Sequence, residues 1–252
     1  MSTATSSAFP SARRQTYAFL EDARRTCHVY LMTEVDASLL KRARAAESSA
    51  PSYVSYVVKA AADVVSSYPD ARAVLHDGVR PRLTTIDDVH AKVLFDKTID
   101  GQRCVVSGTV HAAQARTLAE IQQVVDEHKQ ASIDLTGPFK QVRRLQALPL
   151  WLVRVVYRAA LRNPVRRAQL QGTFSVTSVG QESVRAILPM IAGTLGFGVG
   201  RIADNAVVRD GRIEVAPTLT LSLAFDHRVL DGAMASELLA RVKHRLENWE
   251  LT

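Results

Sequence analysis

The chain has 252 residues, 47% hydrophobic and 23% charged, enough to bury one large core and too apolar to stay disordered. Its net charge of +7 is local: no acidic residue lies between Leu135 and Gln181, where Lys140, Arg143, Arg144, Arg154, Arg158, Arg162, Arg166 and Arg167 stand. The charge is local rather than spread over the chain, and no nucleic-acid-binding motif accompanies it, which argues against a general nucleic-acid binder and for a patch that meets phosphate, an acidic partner protein or anionic lipid.

The first dozen residues, MSTATSSAFPSA, are small and polar, and a disordered tail over 1–12 is expected, followed by a single domain over 13–252. The tail lacks the basic start and apolar core of a secretory signal. No apolar run reaches the roughly 18 residues of a membrane span. Cys27 and Cys104 suit free thiols in a reducing cytoplasm.

A helix is predicted over Arg13–Arg25, then a strand through CHVYLMTEVDA ending at Asp36. Ser38 is the expected cap of LLKRARAA, and Ser52 or Ser55 that of YVSYVVKAAADVVSSYP, which stops at Pro69. Two extended stretches, LTTIDDVHAKVLFDKT and RCVVSGTVHA, flank an Asp100-Gly101 turn. A helix carries Leu118, Ile121, Val124 and Val125 on one face. A further helix over Leu148–Arg162 places Arg154, Arg158 and Arg162 in one stripe at i, i+4 and i+8. Next come GTFSVTSVG, the glycine-rich GFGVG, a hairpin AVVRDGRIEV, the strand TLTLSLAF and a last helix from Ala233 to about Trp249. GFGVG lacks the spacing of a dinucleotide loop and reads as a tightly packed strand. Strands and helices mix without strict βαβ alternation, so the expected fold is an α/β two-layer sandwich, a mixed sheet with helices packed on it.

The seven histidines show no HxxxH or HExxH spacing, and neither cysteine has a CxxC partner, so no metal site is expected. His227 stands apart, at the end of a strand in FDHRVLDG, where Gly232 allows a sharp turn. A neutral imidazole there is suited to take a proton from a thiol or hydroxyl. The competing reading makes Asp226, Arg228 and Asp231 a surface ion-pair network with His227 a spectator, and for Thr177 a strand residue chosen for β-propensity.

FDHRVLDG closely resembles the HxxxDG signature shared by the dihydrolipoyl acyltransferases of 2-oxoacid dehydrogenase complexes and chloramphenicol acetyltransferase. GTFSVTSVG, Gly172 to Gly180, is similar to the GTFTISNLG-type strand of the dihydrolipoyl family. GVGRIADNAVVRDGRIEVAPTLTLSLAFDHRVLDGA resembles that family's C-terminal run, and ARRQTYAFLEDARRTCHVYLMTEVDAS and PSYVSYVVKAAADVVSSYPDARAVLHDG resemble its earlier parts. The resemblance covers nearly the whole chain and is weakest from about Ala131 to Gln171.

It implies a chloramphenicol acetyltransferase-like fold and an acyltransferase with His227 as general base and Thr177 as hydrogen-bond donor to the tetrahedral oxyanion. Asp231 falls on an orienting carboxylate that pairs with an N-terminal arginine, Arg13 or failing that Arg14. The resemblance further implies a homotrimer, or a multiple of trimers, with active sites between subunits. Coenzyme A or a phosphopantetheine thioester is the expected co-substrate, with no tightly bound cofactor. Unlike the dihydrolipoyl enzymes, this chain shows no lipoyl domain, and a stand-alone form is expected. Arg154, Arg158 and Arg162, on a basic amphipathic segment at about 138–168 with Trp151, Leu152, Val155 and Val156, are expected to cover the active-site mouth. There they would meet the phosphates of coenzyme A or an acyl carrier protein. The alternative is a non-catalytic oligomeric scaffold that binds an acidic partner or a membrane surface.

Overall fold

The computed structural model describes residues 4–47, 49–134 and 136–249. Helix α1 (Arg14–Ala23) leads into strand β1 (His28–Asp36), helices α2 (Ser38–Ala46) and α3 (Tyr53–Ser66), and the ribbon β2 (Ala73–His76) and β3 (Arg82–Thr85). Strands β4 (Ala91–Ile99) and β5 (Gln102–Val110) precede helices α4 (Leu118–Gln130), α5 (Lys140–Ala147), α6 (Leu150–Ala160) and α7 (Pro164–Gln171). Strands β6 (Phe174–Ser178), β7 (Leu195–Val199), β8 (Ala203–Arg209) and β9 (Arg212–Asp226) and helix α8 (Gly232–Glu247) complete the chain.

The main sheet runs β1-β9-β7-β6-β4-β5, with β8 paired to the first part of β9. β6 is parallel to β4 and β7, and the other pairs are antiparallel. This is the mixed-sheet α/β architecture expected from the sequence. β9 is long because hairpin and strand are one element: its first half pairs with β8 and its second half lies between β1 and β7. Leu219, Leu221, Leu223 and Phe225 recur every second residue and are almost wholly buried. Each contributes about 1.5–3 kcal/mol relative to exposure. They join one core with Tyr56, Val57 and Val65 of α3 and Leu238, Val242 and Leu246 of α8.

Alternation along β6 sends Phe174 and Val176 into that core and leaves Ser175 and Thr177 half-buried on the opposite face. There the sheet is roofed by α1 and by the segment over 184–193. β7 lets that segment lie close: a Cβ on Gly198 would collide with the Ile187 carbonyl oxygen and the Ser222 hydroxyl. The turns Asp100-Gly101 and Asp210-Gly211 both have two consecutive positive φ angles, which suits two-residue hairpins.

Ser52 caps α3 as one of the two candidates, accepting from the Ser55 N–H. Ser38 does not cap α2; it is the first helical residue, and the Asp36 carboxylate accepts its N–H at 2.9 Å. The basic stretch is three helices, because Pro149 and Pro164 start new ones after short breaks. Within the stretch expected as a tail, the structure describes residues 4–12. Phe9 packs edge-on against Tyr17, and Ala12 is buried beside Phe139 and Val142. Residues 1–3 of that tail lie outside the described residues. No described helix is long and apolar enough to cross a membrane.

Candidate functional site

β9 ends at Asp226, and its carbonyl accepts the N–H groups of Val229 and Leu230 to close the turn that carries His227. The His227 N–H donates to the Cys27 carbonyl at 2.9 Å, fixing the turn to the start of β1. The imidazole is exposed, tilted against Phe225 at 5.5 Å between ring centroids, and has no ring hydrogen bond among the described residues. Other histidines are committed elsewhere. His90 Nδ1 accepts from the Ala112 N–H, and His128 stacks on Phe95. Burial, then the neighbouring His111, lowers the basicity of His90.

Asp226 and Arg228 flank His227 as an ion pair. Arg228 donates from Nε to Oδ1 at 2.9 Å and from Nη2 to Oδ2 at 2.7 Å, and its Nη1 reaches Asp77 at 2.9 Å. Hydrogen bonding to Asp226 raises the pKa of Arg228 further, so its charge is fixed. Asp231 takes no part. Its carboxylate caps α8, accepting the Met234 N–H at 2.9 Å. The expected Arg13–Asp231 pair is not formed within the chain: Arg13 is exposed, and Arg14 donates to the carbonyls of Gln146 and Leu148.

Beside this turn opens a polar cavity of about 400 Å³, bounded by Arg25, Arg72, Arg158, Arg162, Arg167 and Arg228. Its carboxylates are Asp22, Asp77 and Asp226, and each already meets Arg167 or Arg228. Arg25, Arg158 and Arg162 have no side-chain hydrogen bond or ion pair among the described residues. Arg72 donates from Nη1 to the Ile86 and Asp87 carbonyls, while its buried Nε has no partner among the described residues. The surplus of guanidinium over carboxylate gives the cavity a net positive lining, which favours an anionic ligand.

Arg154 is not part of it. The predicted stripe breaks because Arg154 is held by two hydrogen bonds to Glu21, at 2.7 and 2.6 Å, and lies over the Tyr17 ring. Nor does α6 bury the apolar side expected to cover a mouth: Val153 is inside, but Trp151, Val155 and Val156 are exposed.

A second cavity, about 310 Å³, lies on the open face of the sheet between α1, Leu94, Thr177 and the segment over 187–193. The Thr177 hydroxyl has no hydrogen-bond partner among the described residues. The two cavities meet at Gln171, Ala192 and Gly193. Thr177 is level with Gly198 and Ser222 in the ladder, and Asp226 lies four residues further along β9. Two strand spacings and four rises put His227 roughly 16 Å or more from Thr177. One chain therefore does not bring the two together. Arg25, Arg72 and Lys92 were not singled out in the sequence. They come from separate elements, and only the fold assembles them.

The mixed sheet backed by helices, with the HxxxDG turn at the end of a sheet strand, has the chloramphenicol acetyltransferase-like fold. Residues 151–252 match the model of the 2-oxoacid dehydrogenases acyltransferase (catalytic domain). The dihydrolipoyllysine-residue acetyltransferase component of the pyruvate dehydrogenase complex of Bacillus subtilis (strain 168) is 28% identical over 236 residues, covering 89% of this chain and 46% of that protein. The chain thus spans about half the length of that curated relative. Among solved structures, a probable dihydrolipoamide acetyltransferase from Listeria monocytogenes 4b F2365 superposes with a TM-score of 0.74 at 19% identity, covering 99% of each chain. A chloramphenicol acetyltransferase superposes with a TM-score of 0.51 at 12% identity, covering 96% of this chain and 95% of that one. The match to the acyltransferase catalytic domain covers the C-terminal part of the chain, and the likeness to solved acetyltransferase structures extends over nearly all of its fold.

Proposed function

We propose that the protein is an acyltransferase that moves an acyl group from a coenzyme A or carrier-protein thioester to a thiol, amine or hydroxyl acceptor. The observation that carries this reading is the pair of uncommitted groups: an exposed imidazole at a fixed turn and a hydroxyl on the wall of a cavity, neither with a hydrogen-bond partner among the described residues. His227 takes the proton from the attacking group, and Thr177 donates a hydrogen bond to the oxygen that becomes negative in the tetrahedral intermediate. Because they are far apart within one chain, His227 of one copy works with Thr177 of a neighbour. Exposed Tyr30, Met32, Leu188 and Met190 around the open sheet face favour such contact. A homotrimer or a multiple of trimers meets the requirement.

Arg158 and Arg162, with Arg25 and Arg72, receive the anionic part of the donor in the cavity beside His227. Arg154 is withdrawn from that role by Glu21. Free Cys27 and Cys104 fit a cytoplasmic setting.

The test is complementation. His227→Ala is expected to lower thioester turnover by several orders of magnitude, and Thr177→Val by roughly a hundredfold, the usual loss for one oxyanion donor. Dissociated and reassembled together, the two variants regain part of the activity, because mixed contacts restore some intact sites. Unchanged thioester consumption in His227→Ala refutes the assignment. No recovery on mixing refutes the shared site.

A further inference from the structure

Lys92 on β4 is the one charged side chain among the described residues that line the cavity holding Thr177. It stands beside Ser175 in the sheet register, on the face that carries Thr177 two residues further along β6. Its Nζ donates to Gln171 Oε1 at 3.1 Å and lies 5.1 Å over the Phe19 ring. The same Gln171 amide donates to the Tyr157 hydroxyl, which turns its oxygen toward the ammonium. Among the described residues no carboxylate forms an ion pair with Lys92, and Asp22, whose charge it feels, is engaged by Arg167 at 3.2 Å.

An ammonium has three donors, and the protein satisfies one of them. The rest of the lining is mainly apolar, with Phe19, Leu94, Met190 and Ile191 among the walls. An unpaired charge in such surroundings is costly unless a ligand completes it. Burial depresses the Lys92 pKa to about 8, with Asp22 opposing the shift. The amine is therefore still largely protonated at neutral pH.

We propose that the cavity receives a substrate portion with a short aliphatic or aromatic body and a carboxylate, the carboxylate pairing with Lys92 while the reacting carbonyl lies at Thr177. One strand spacing and two rises separate the two positions by roughly 8 Å along the sheet, room for a spacer of about three to six atoms. The inference rests on the acyltransferase reading for its account of Thr177, but the recognition of a carboxylate by Lys92 is independent of turnover.

The experiment uses the full chain and calorimetric binding of hexanoate and 3-phenylpropanoate, each against its primary amide. The wild type is expected to prefer each acid by at least tenfold, and Lys92→Met to lose the preference while keeping affinity for the amides. Lys92→Arg, which keeps the charge, retains part of it. Equal affinity of the wild type for acid and amide overturns the proposal, as does an unchanged preference in Lys92→Met. A Lys92→Met chain that fails to fold is replaced by Lys92→Gln, read by the same ratio. Binding repeated in His227→Ala separates this proposal from the catalytic one: an intact preference alongside normal turnover sinks the acyltransferase mechanism and leaves the carboxylate site standing. Two kinetic arms then identify the source. If KM for an ω-carboxylated acyl donor rises about tenfold in Lys92→Met while that of its methyl-ended equivalent does not, the carboxylate belongs to the acyl group. The same split between carboxylated and uncharged thiol acceptors places it on the acceptor. A split in neither arm overturns the substrate role.

Discussion

Replacing Asp226 with asparagine removes a charge and leaves the side-chain shape. The carboxylate is 4% exposed and takes guanidinium hydrogen bonds from Arg228 on both oxygens, the Arg228 side chain being 30% exposed. Two unit charges about 4 Å apart attract by about 4 kcal/mol at an effective dielectric near 20. Removal of both from water offsets much of that, so the net worth of the pair is small while the loss of one member is not: about 3–5 kcal/mol is typical for a buried pair. Here Arg228 is partly hydrated and keeps Asp77, which reduces the expected cost to about 2–3 kcal/mol. Urea unfolding followed by tryptophan fluorescence should show that loss in the stability of Asp226→Asn with an unchanged denaturant slope. Arg228→Gln should cost less. The double variant should be less destabilised than the sum by about 1–3 kcal/mol, because removing the second charge relieves the first. A loss below about 0.5 kcal/mol for Asp226→Asn would refute the claim that this pair anchors the turn.

Asp231 acts as a helix cap in the chain, so Asp231→Asn should leave stability nearly unchanged and Asp231→Ala should cost about 1 kcal/mol; equal losses in both would restore an ionic role. Thiol labelling should modify exposed Cys27 at once and Cys104 only on unfolding, since burial, then Asp96, raises the Cys104 thiol pKa; equal labelling rates would contradict the packing of β5. For Lys92 the folded-state pKa of about 8 lies below the reference value of 10.5, so folding disfavours the charged amine. The penalty is complete below about pH 8 and lifts as pH rises toward 10.5, where the amine is neutral in both states. Wild-type stability should therefore gain on that of Lys92→Met across this window, and parallel pH curves from the two chains would show the amine to be solvated.

What the sequence disclosed follows its periodicities. The alternation in TLTLSLAF and the Asp-Gly turns report local backbone preference, and they located β9, both hairpins and the turn that displays His227. Thr177 was legible through the resemblance of GTFSVTSVG, because on composition it was an ordinary strand residue. The arginine cavity was only half legible. Arg158 and Arg162 fell on a visible stripe, but Arg25, Arg72 and Arg228 arrive from elements far apart in the chain, and no local pattern announces that convergence. Arg154 misled because helical spacing places a side chain on a face without saying what opposes that face; Glu21 of α1 does. Ser38 misled similarly, since Asp36 two residues earlier offers a competing acceptor. Lys92 was invisible: a lysine at a polar strand position is expected in solvent until α1 and the 187–193 segment close over it.

The second half of β9 is laced to a neighbour along both edges, β1 on one side and β7 on the other. Sliding it by a single residue would turn its four core side chains toward the wrong layer, so the strand has no low-energy way to creep. The imidazole at its tip is thereby gauged like the end of a ruler clamped on two sides. Insertions in the outer β8–β9 loop should be absorbed harmlessly, whereas one between Leu219 and Asp226 would displace the histidine and unseat the core together.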